Sequence, residues 1–135
     1  MRSAVDSSVL LDVFLADPKF GPPSREALRI AVDEGALIAC DVVWAEVRAF
    51  FTSGKDFESA VKALEISFSE SDADCAALAG EMWRRYRNGG GPRSRLVADF
   101  LVAAHASLRA DRLLTRDRGF VRRYFPALRV LDPTA

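Results

Sequence analysis

The chain has 135 residues, half of them hydrophobic and 28% charged, with 19 basic residues balancing 19 acidic ones. These values are typical of one globular domain, and they exclude a disordered chain or one that attracts nucleic acid through its overall charge. No apolar run approaches the ~18 residues of a membrane span. Asp6 and Asp12 also interrupt the apolar stretch that a secretion signal would need.

The first half of the chain alternates short apolar runs with helical patterns. We predict a strand at 3–5, a helix at 7–15, a helix at 24–34 capped by Ser24, a strand at 36–40, a helix at 42–51 capped by Asp41, a helix near 56–64 and a strand at 66–68. The loop "DPKFGPPS" separates the first two helices, because proline and glycine punctuate it.

The second half continues the alternation. We predict helices at 71–88, 95–110 and 118–125 and strands at 112–115 and 128–132. The helix at 95–110 is apolar nearly all round, which indicates that it is buried. Short apolar strands between helices predict a single domain, residues 1–135, of the three-layer α/β/α class with a short central parallel sheet flanked by helices.

Acidic residues stand where such a sheet places its functional groups. Asp6 ends the first strand and Asp117 follows the fourth, so both face the crevice at the carboxyl ends of the strands. Glu46 and Asp99 lie in otherwise apolar helices, where an unpaired carboxylate is unfavourable. Four such carboxylates would repel one another, and one Mg²⁺ or Mn²⁺ ion with its preference for oxygen ligands would relieve this.

Each acid also has an ordinary structural interpretation. Asp6 could cap a helix, and Asp99 could interact with the helix dipole from the first turn. Glu46 could face solvent, and Asp117 could form a turn. We place Asp12, Asp33, Glu34 and Glu58 on polar faces or turns, and Asp72 and Asp74 at the start of a helix. The two cysteines, Cys40 and Cys75, match no zinc pattern, and we expect reduced core thiols in a cytoplasmic protein. The single histidine, His105, is interpreted as structural.

Four segments, "VDSSVLLD", "VVWAEV", "ADFLVAAHA" and "LLTRDRGF", resemble the PIN-domain nucleases in order and spacing. The likeness is strongest to their bacterial toxin branch, the VapC-type toxins of toxin–antitoxin pairs, and it extends from residue 4 to about residue 131. The family pattern matches the acids and the hydroxyl residues around them: Asp6, Ser7, Ser8, Glu46, Asp99, Thr115 and Asp117.

The resemblance implies a PIN-like fold and a metal-dependent endoribonuclease. Asp6 and Asp99 would bind Mg²⁺ or Mn²⁺ directly, and Asp117 and Glu46 would bind the metal or orient its waters. Ser8 and Thr115 would hold the carboxylates in place. The metal would lower the pKa of a bound water and neutralise phosphate oxygens. The family also implies a homodimer and an antitoxin partner that blocks the metal site.

Basic residues offer a rim for an RNA substrate around this acidic site. The candidates for phosphate contacts are Arg84, Arg85, Arg87, Arg93, Arg95, Arg116 and Arg118. A solvated helix face explains such a run equally well. The helix at 42–51 carries more large apolar side chains than one face can hide, ending with Phe50 and Phe51, so either it is a two-sided core helix or part of it meets another chain.

Other functions remain open at this stage. A receiver domain needs paired acids after the first strand and a late lysine, and a dehalogenase-type phosphatase needs an acid where Ser8 stands, so both disagree with the sequence. A non-cleaving RNA- or partner-binding protein of the same fold, and a housekeeping RNA-processing nuclease, stay as alternatives to the toxin.

Overall fold

A central parallel sheet lies between two layers of helices in the computed structural model, which describes residues 1–92 and 95–135. The strands are β1 (Arg2–Val5), β2 (Ala36–Ala39), β3 (Ile66–Phe68), β4 (Arg112–Leu114) and β5 (Arg129–Leu131). The helices in the described part are α1 (Ser7–Phe14), α2 (Gly21–Glu34), α3 (Asp41–Arg48), α4 (Gly54–Ala63), α5 (Ala73–Asn88), α6 (Val97–Arg109) and α7 (Arg118–Tyr124). This arrangement confirms the predicted fold class.

The order of the strands places a crevice beside β1. The sheet runs β3-β2-β1-β4-β5, and every neighbouring pair is parallel. Ser3 of β1 is level with Leu37 of β2 on one side and with Arg112 of β4 on the other. The chain leaves β1 toward β2 and later enters β4 on the opposite side. Such a switch point opens a crevice at the carboxyl ends of the two strands, which is where open α/β sheets bind ligands.

Both faces of the sheet are covered, which explains the short apolar strands. Val5, Ile38 and Leu113 are almost fully buried. Parallel strands buried on both faces read as continuous apolar runs rather than as an alternating pattern. The described chain has no helix with the length and apolar character that crossing a membrane requires.

Helix α6 forms the centre of one layer and packs against α5. Its Phe100 is fully buried and meets the Phe120 ring edge-on, with 4.9 Å between ring centroids. Tyr86 of α5 and Tyr124 of α7 complete the cluster around Phe100. Edge-to-face contacts of this kind add to the apolar burial, so the cluster fixes the start of α6 against α7.

Two predicted helix caps are wrong. Helix α2 begins at Gly21, three residues before Ser24, because Pro22 and Pro23 fit a first helical turn whose N–H groups need no intrahelical partner. Ser24 is therefore inside the helix and buried. Asp41 is the first residue of α3 rather than its cap, and its carboxylate accepts a hydrogen bond from the Ser71 amide at 3.0 Å.

Candidate active site

A narrow crevice lies at the switch point between β1 and β4. It is lined by Asp6, Asp99, Val102, Ala103, Leu113, Thr115, Asp117, Phe120 and Val121. Its volume is about 10 Å³, close to the room that one water molecule needs. The structure therefore brings three of the four predicted acids to one small space whose remaining walls are mostly apolar.

Asp6 caps a helix and also lines the crevice. Its Oδ1 accepts a hydrogen bond from the Ser7 amide at 2.8 Å, which caps α1. Its Oδ2 accepts a hydrogen bond from Thr115 Oγ1, also at 2.8 Å, and lines the crevice. Burial raises the pKa of the Asp6 carboxyl above its ordinary value of 3.8, and nearby Glu46 and Asp99 raise it further. The two hydrogen bonds lower the pKa and only partly oppose the effect of burial.

Asp99 and Asp117 enter the crevice from the beginnings of two other helices. Asp99 lies in the first turn of α6, where its Oδ2 accepts a hydrogen bond from the Leu96 amide at 3.2 Å. Asp117 directly precedes α7, and its amide donates to Thr115 Oγ1 at 3.0 Å. With Asp6 before α1, each acid stands at a helix N-terminus, where the peptide dipoles favour negative charge.

Glu46 approaches from α3 and is more exposed than the other acids. Ser7 Oγ donates a hydrogen bond to Glu46 Oε1 at 3.0 Å. The sequence had assigned a carboxylate-holding role to Ser8. Within residues 1–92 and 95–135 the Ser8 hydroxyl makes no hydrogen bond to an acid, so its role stays a prediction, while Ser7 is the residue that contacts Glu46. Consecutive helical residues point in directions about 100° apart, which turns Ser8 away from Glu46.

A cation of the chain itself pairs with two of the acids that line the crevice. The Arg95 guanidinium forms an ion pair with Asp117, and its Nη1 lies 3.8 Å from Asp99 Oδ2. It also lies over the Phe120 ring, 4.3 Å from the centroid. The phosphate contact at Arg95 stays a prediction, and in the structure its guanidinium joins two of the acids. Arg93, another predicted contact, lies outside the described residues.

The remaining predicted arginines divide into two groups. Arg116 pairs with Asp12, and Arg118 pairs with Asp132 with Nε 3.2 Å from Oδ2. The others are exposed on the last turns of α5: Arg84, Arg85 and Arg87. Arg85 lies 3.3 Å from Glu81 on the same helix, an exposed pair that contributes little to stability.

Asp12 corrects another expectation. The sequence placed it on a polar face, but its side chain is only 6% exposed and accepts hydrogen bonds from Ser24 and Arg116. No local pattern signals this contact, because both partners lie in other elements. His105, in contrast, agrees with its structural interpretation, since it is buried with Nε2 2.9 Å from Ser69 Oγ.

The donor set suits a small, hard cation. Within the described residues, no three acidic, histidine or cysteine side chains already stand close enough to form a metal cluster. The crevice nevertheless offers only carboxylate oxygens as charged donors, and a guanidinium cation already joins Asp99 and Asp117. Carboxylates that gather around so little space favour a cation such as Mg²⁺ or Mn²⁺ over softer metals.

A parallel α/β domain with acids gathered at its switch point defines a class of proteins that can bind a cation at the carboxyl ends of the strands. Within that class, residues 4–126 match the PIN domain family, and the chain belongs to this family. No curated protein matches the sequence.

Solved structures share this fold. A chain of VapBC2 from Rickettsia felis, crystallised with a DNA fragment from its promoter, superposes with a TM-score of 0.76 at 17% identity, over 98% of each chain. A chain of VapBC-1 from nontypeable Haemophilus influenzae gives 0.72 at 18% identity over 100% of each chain. A toxin–antitoxin complex from Klebsiella pneumoniae gives 0.67 at 18% identity over 97% of each chain. At these identities the likeness establishes the fold.

Proposed function

We propose that this protein is a VapC-type toxin, a divalent-metal-dependent endoribonuclease that hydrolyses RNA phosphodiester bonds and so inhibits translation or growth. The observation that carries the proposal is the crevice at the switch point of a PIN domain, where Asp6, Asp99 and Asp117 surround a space of about 10 Å³. PIN domains are generally nucleases. The buried free thiols of Cys40 and Cys75 fit a reducing cytoplasm, where such a toxin would act.

Asp6, Asp99 and Asp117 would hold the Mg²⁺ or Mn²⁺ ion, and Glu46 would bind it or orient its waters. Such an ion, when bound, supplies a water of lowered pKa and charge neutralisation for the phosphate oxygens. The chain's own contribution is to fix the carboxylates: Thr115 holds Asp6, and Ser7 holds Glu46. Hydrogen-bond partners of this kind are what keep metal-binding carboxylates in a productive orientation.

Exposed arginines at the end of α5 would bind the RNA backbone. The C-terminal turns of α5 carry Arg84, Arg85 and Arg87, and the glycines that follow line a cavity of about 510 Å³ together with Arg95 and Arg123. An acidic site repels RNA unless such cations surround it. The double variant Arg84→Glu/Arg85→Glu should weaken RNA binding and flatten its salt dependence, whereas Arg29→Glu on α2 should change neither. Equal binding by both variants would remove this assignment.

An antitoxin and a second copy of the chain are the proposed protein partners. Phe50, just beyond α3, and Phe68, at the end of β3, are 57% and 52% exposed. Trp44 meets Phe68 edge-on at 5.3 Å and extends the apolar surface, and large exposed apolar groups mark interaction sites. The neighbours named VapBC are complexes, which supports an antitoxin here. Phe50→Ser/Phe68→Ser should weaken antitoxin binding in co-purification without reducing RNA cleavage, and unchanged antitoxin binding would contradict this surface.

The first experiment incubates the purified, antitoxin-free protein with total RNA in Mg²⁺ or Mn²⁺. EDTA and Asp99→Asn should each abolish discrete cleavage, and the cut ends should carry 5′-phosphate groups. Asp33→Asn is the matched control, because Asp33 is an exposed acid on α2 that pairs with Arg29. Cleavage that survives Asp99→Asn would contradict the site. No cleavage from folded protein with either metal would favour a non-cleaving RNA- or partner-binding role. Cleavage of one precursor RNA without growth inhibition would favour a housekeeping nuclease.

A further inference from the structure

A partly buried ion pair joins Asp12 of α1 to Arg116, in the segment between β4 and α7. Both carboxylate oxygens of Asp12 are bound by Arg116: Nε lies 3.0 Å from Oδ2 and Nη2 lies 3.1 Å from Oδ1. Ser24 Oγ also donates to Asp12 Oδ2, at 2.8 Å. The two-nitrogen fork of arginine on a carboxylate fixes direction as well as distance. The pair therefore holds Arg116 in one orientation relative to α1 and α2.

An aromatic ring closes the remaining side of the guanidinium. Arg116 Cζ lies 4.0 Å from the centroid of the Phe20 ring, just before α2. The Arg116 side chain is only 29% exposed as a result. With these neighbours, Arg116 has little surface left for an RNA phosphate, unlike the exposed arginines of α5. Its contacts point into the protein.

The position of Arg116 in the chain gives these contacts a role. Arg116 lies between Thr115, which holds Asp6, and Asp117, which enters the crevice. Strand β4 has already ended at Leu114, and α7 has not yet begun. The segment from Thr115 to Asp117 thus belongs to neither element. Anchoring its middle residue to α1 fixes the two residues on either side.

We infer that Arg116 is a positioning residue which, through its ion pair with Asp12, fixes the turn that presents Thr115 and Asp117 to the site. The expected consequence, tight metal binding, rests on the proposed function. The claim that the ion pair fixes the turn does not depend on a metal. A buried ion pair is weak evidence for stability, because apolar replacements often serve as well. A neutral pair of side chains cannot reproduce the orientation that the two-nitrogen fork of Arg116 gives to the turn.

Two variants separate orientation from stability. Arg116→Met leaves the Asp12 carboxylate buried and unpaired, so it should lower the free energy of unfolding. Asp12→Asn/Arg116→Met removes both charges and keeps an acceptor for Ser24, so it should recover most of that loss. If the pair only stabilises the fold, the double variant will also recover the site. If the pair orients the turn, the site will stay impaired.

The measurements are hydrogen exchange of the Asp117 amide in metal-free protein and the Kd for Mn²⁺ by calorimetry. We expect the double variant to exchange this amide about 10-fold faster and to bind Mn²⁺ about 10-fold more weakly, in line with losses of supporting contacts at metal sites. Arg116→Lys, which keeps the charge without the fork, should fall between the unchanged protein and the double variant.

Arg109→Met provides the matched control. Arg109 also pairs with an aspartate of another element, Asp72 at the start of α5, but outside the crevice. It should leave both measurements unchanged. The inference would be overturned if the double variant exchanged the Asp117 amide and bound Mn²⁺ as the unchanged protein does. A third outcome separates the two proposals. If the unchanged protein binds no Mn²⁺ but the double variant still exchanges the Asp117 amide faster, the positioning role is upheld and the proposed function is contradicted.

Discussion

Thr115 joins Asp6 to the neighbouring strand: its Oγ1 donates to Asp6 Oδ2 at 2.8 Å and accepts from the Asp117 amide at 3.0 Å. One buried hydroxyl group therefore ties the end of β1 to the turn after β4. Because a hydroxyl can donate and accept at once, serine can replace threonine here and valine cannot.

Thr115→Val should damage both stability and the site. The isosteric change leaves the partly buried Asp117 amide and Asp6 carboxylate oxygen without this partner, at about 1–3 kcal/mol for such a loss. It also removes a hydrogen bond that lowers the pKa of Asp6, so that pKa should rise further. RNA cleavage should fall by about 10–100-fold. Urea unfolding and cleavage assays test this, with Thr115→Ser as the control that should retain most of both properties.

Asp6→Asn should stabilise the fold while abolishing cleavage. Folding raises the pKa of Asp6 above 3.8, so the ionised side chain disfavours the folded state at neutral pH. Asparagine removes that charge and still caps a helix. The melting temperature should rise at pH 7. The gain should shrink as the pH falls toward 3.8, because the unchanged protein then takes up a proton on folding. A lower melting temperature of Asp6→Asn at pH 7 would contradict the predicted stabilisation.

His105 should make the protein sensitive to mild acid. Burial lowers the pKa of its imidazole below 6.5, an effect that nearby Asp41 only partly offsets. The unfolded chain then binds a proton below pH 6.5 that the folded chain rejects until its lower pKa is reached, so stability falls as the pH falls through this window. His105→Gln should remove that dependence between pH 7 and pH 5. Equal pH slopes of the urea midpoints for both proteins would refute the prediction.

Two glycine-to-alanine changes should have opposite effects. Gly80 lies inside α5 with no atom within 4 Å of an added Cβ, so Gly80→Ala should stabilise by about 0.5–1 kcal/mol. At Gly35 an added Cβ would lie 2.0 Å from the Met1 carbonyl oxygen, at the point where β2 begins beside β1. Gly35→Ala should destabilise by more than about 1 kcal/mol. Thermal unfolding of the two variants side by side provides the comparison, and equal shifts would contradict it.

The crevice itself could be predicted because it follows from order along the chain. Alternating strands and helices predict a parallel sheet, and a parallel sheet gathers the residues at its strand ends. Asp6 and Asp117 were found in this way, and the apolar surroundings of Asp99 and Glu46 singled those acids out. In the structure Asp6, Asp99 and Asp117 line the crevice together, while Glu46 lies at its edge through Ser7.

The contacts that support the crevice could not be predicted in the same way. Asp12 and Arg116 are 104 positions apart, and nothing in the neighbourhood of either residue indicates the other. Arg95 resembled any other arginine of a basic run, yet its guanidinium lies between two acids. Ser7 and Ser8 are adjacent hydroxyl residues, and only the direction of the helix separates the one that contacts Glu46 from the one that does not. Such choices depend on the packed geometry.

Asp6 and Asp99 each accept a backbone hydrogen bond at the start of a helix, and an asparagine side chain can accept the same bond. Under the proposed function, a single codon change from aspartate to asparagine at either position removes a metal-binding carboxylate and keeps this hydrogen bond. For Asp6 such a change even relieves electrostatic strain in the folded chain. Under the proposed function, descendants of this domain can lose cleavage and keep the fold, so inert forms should arise readily and persist.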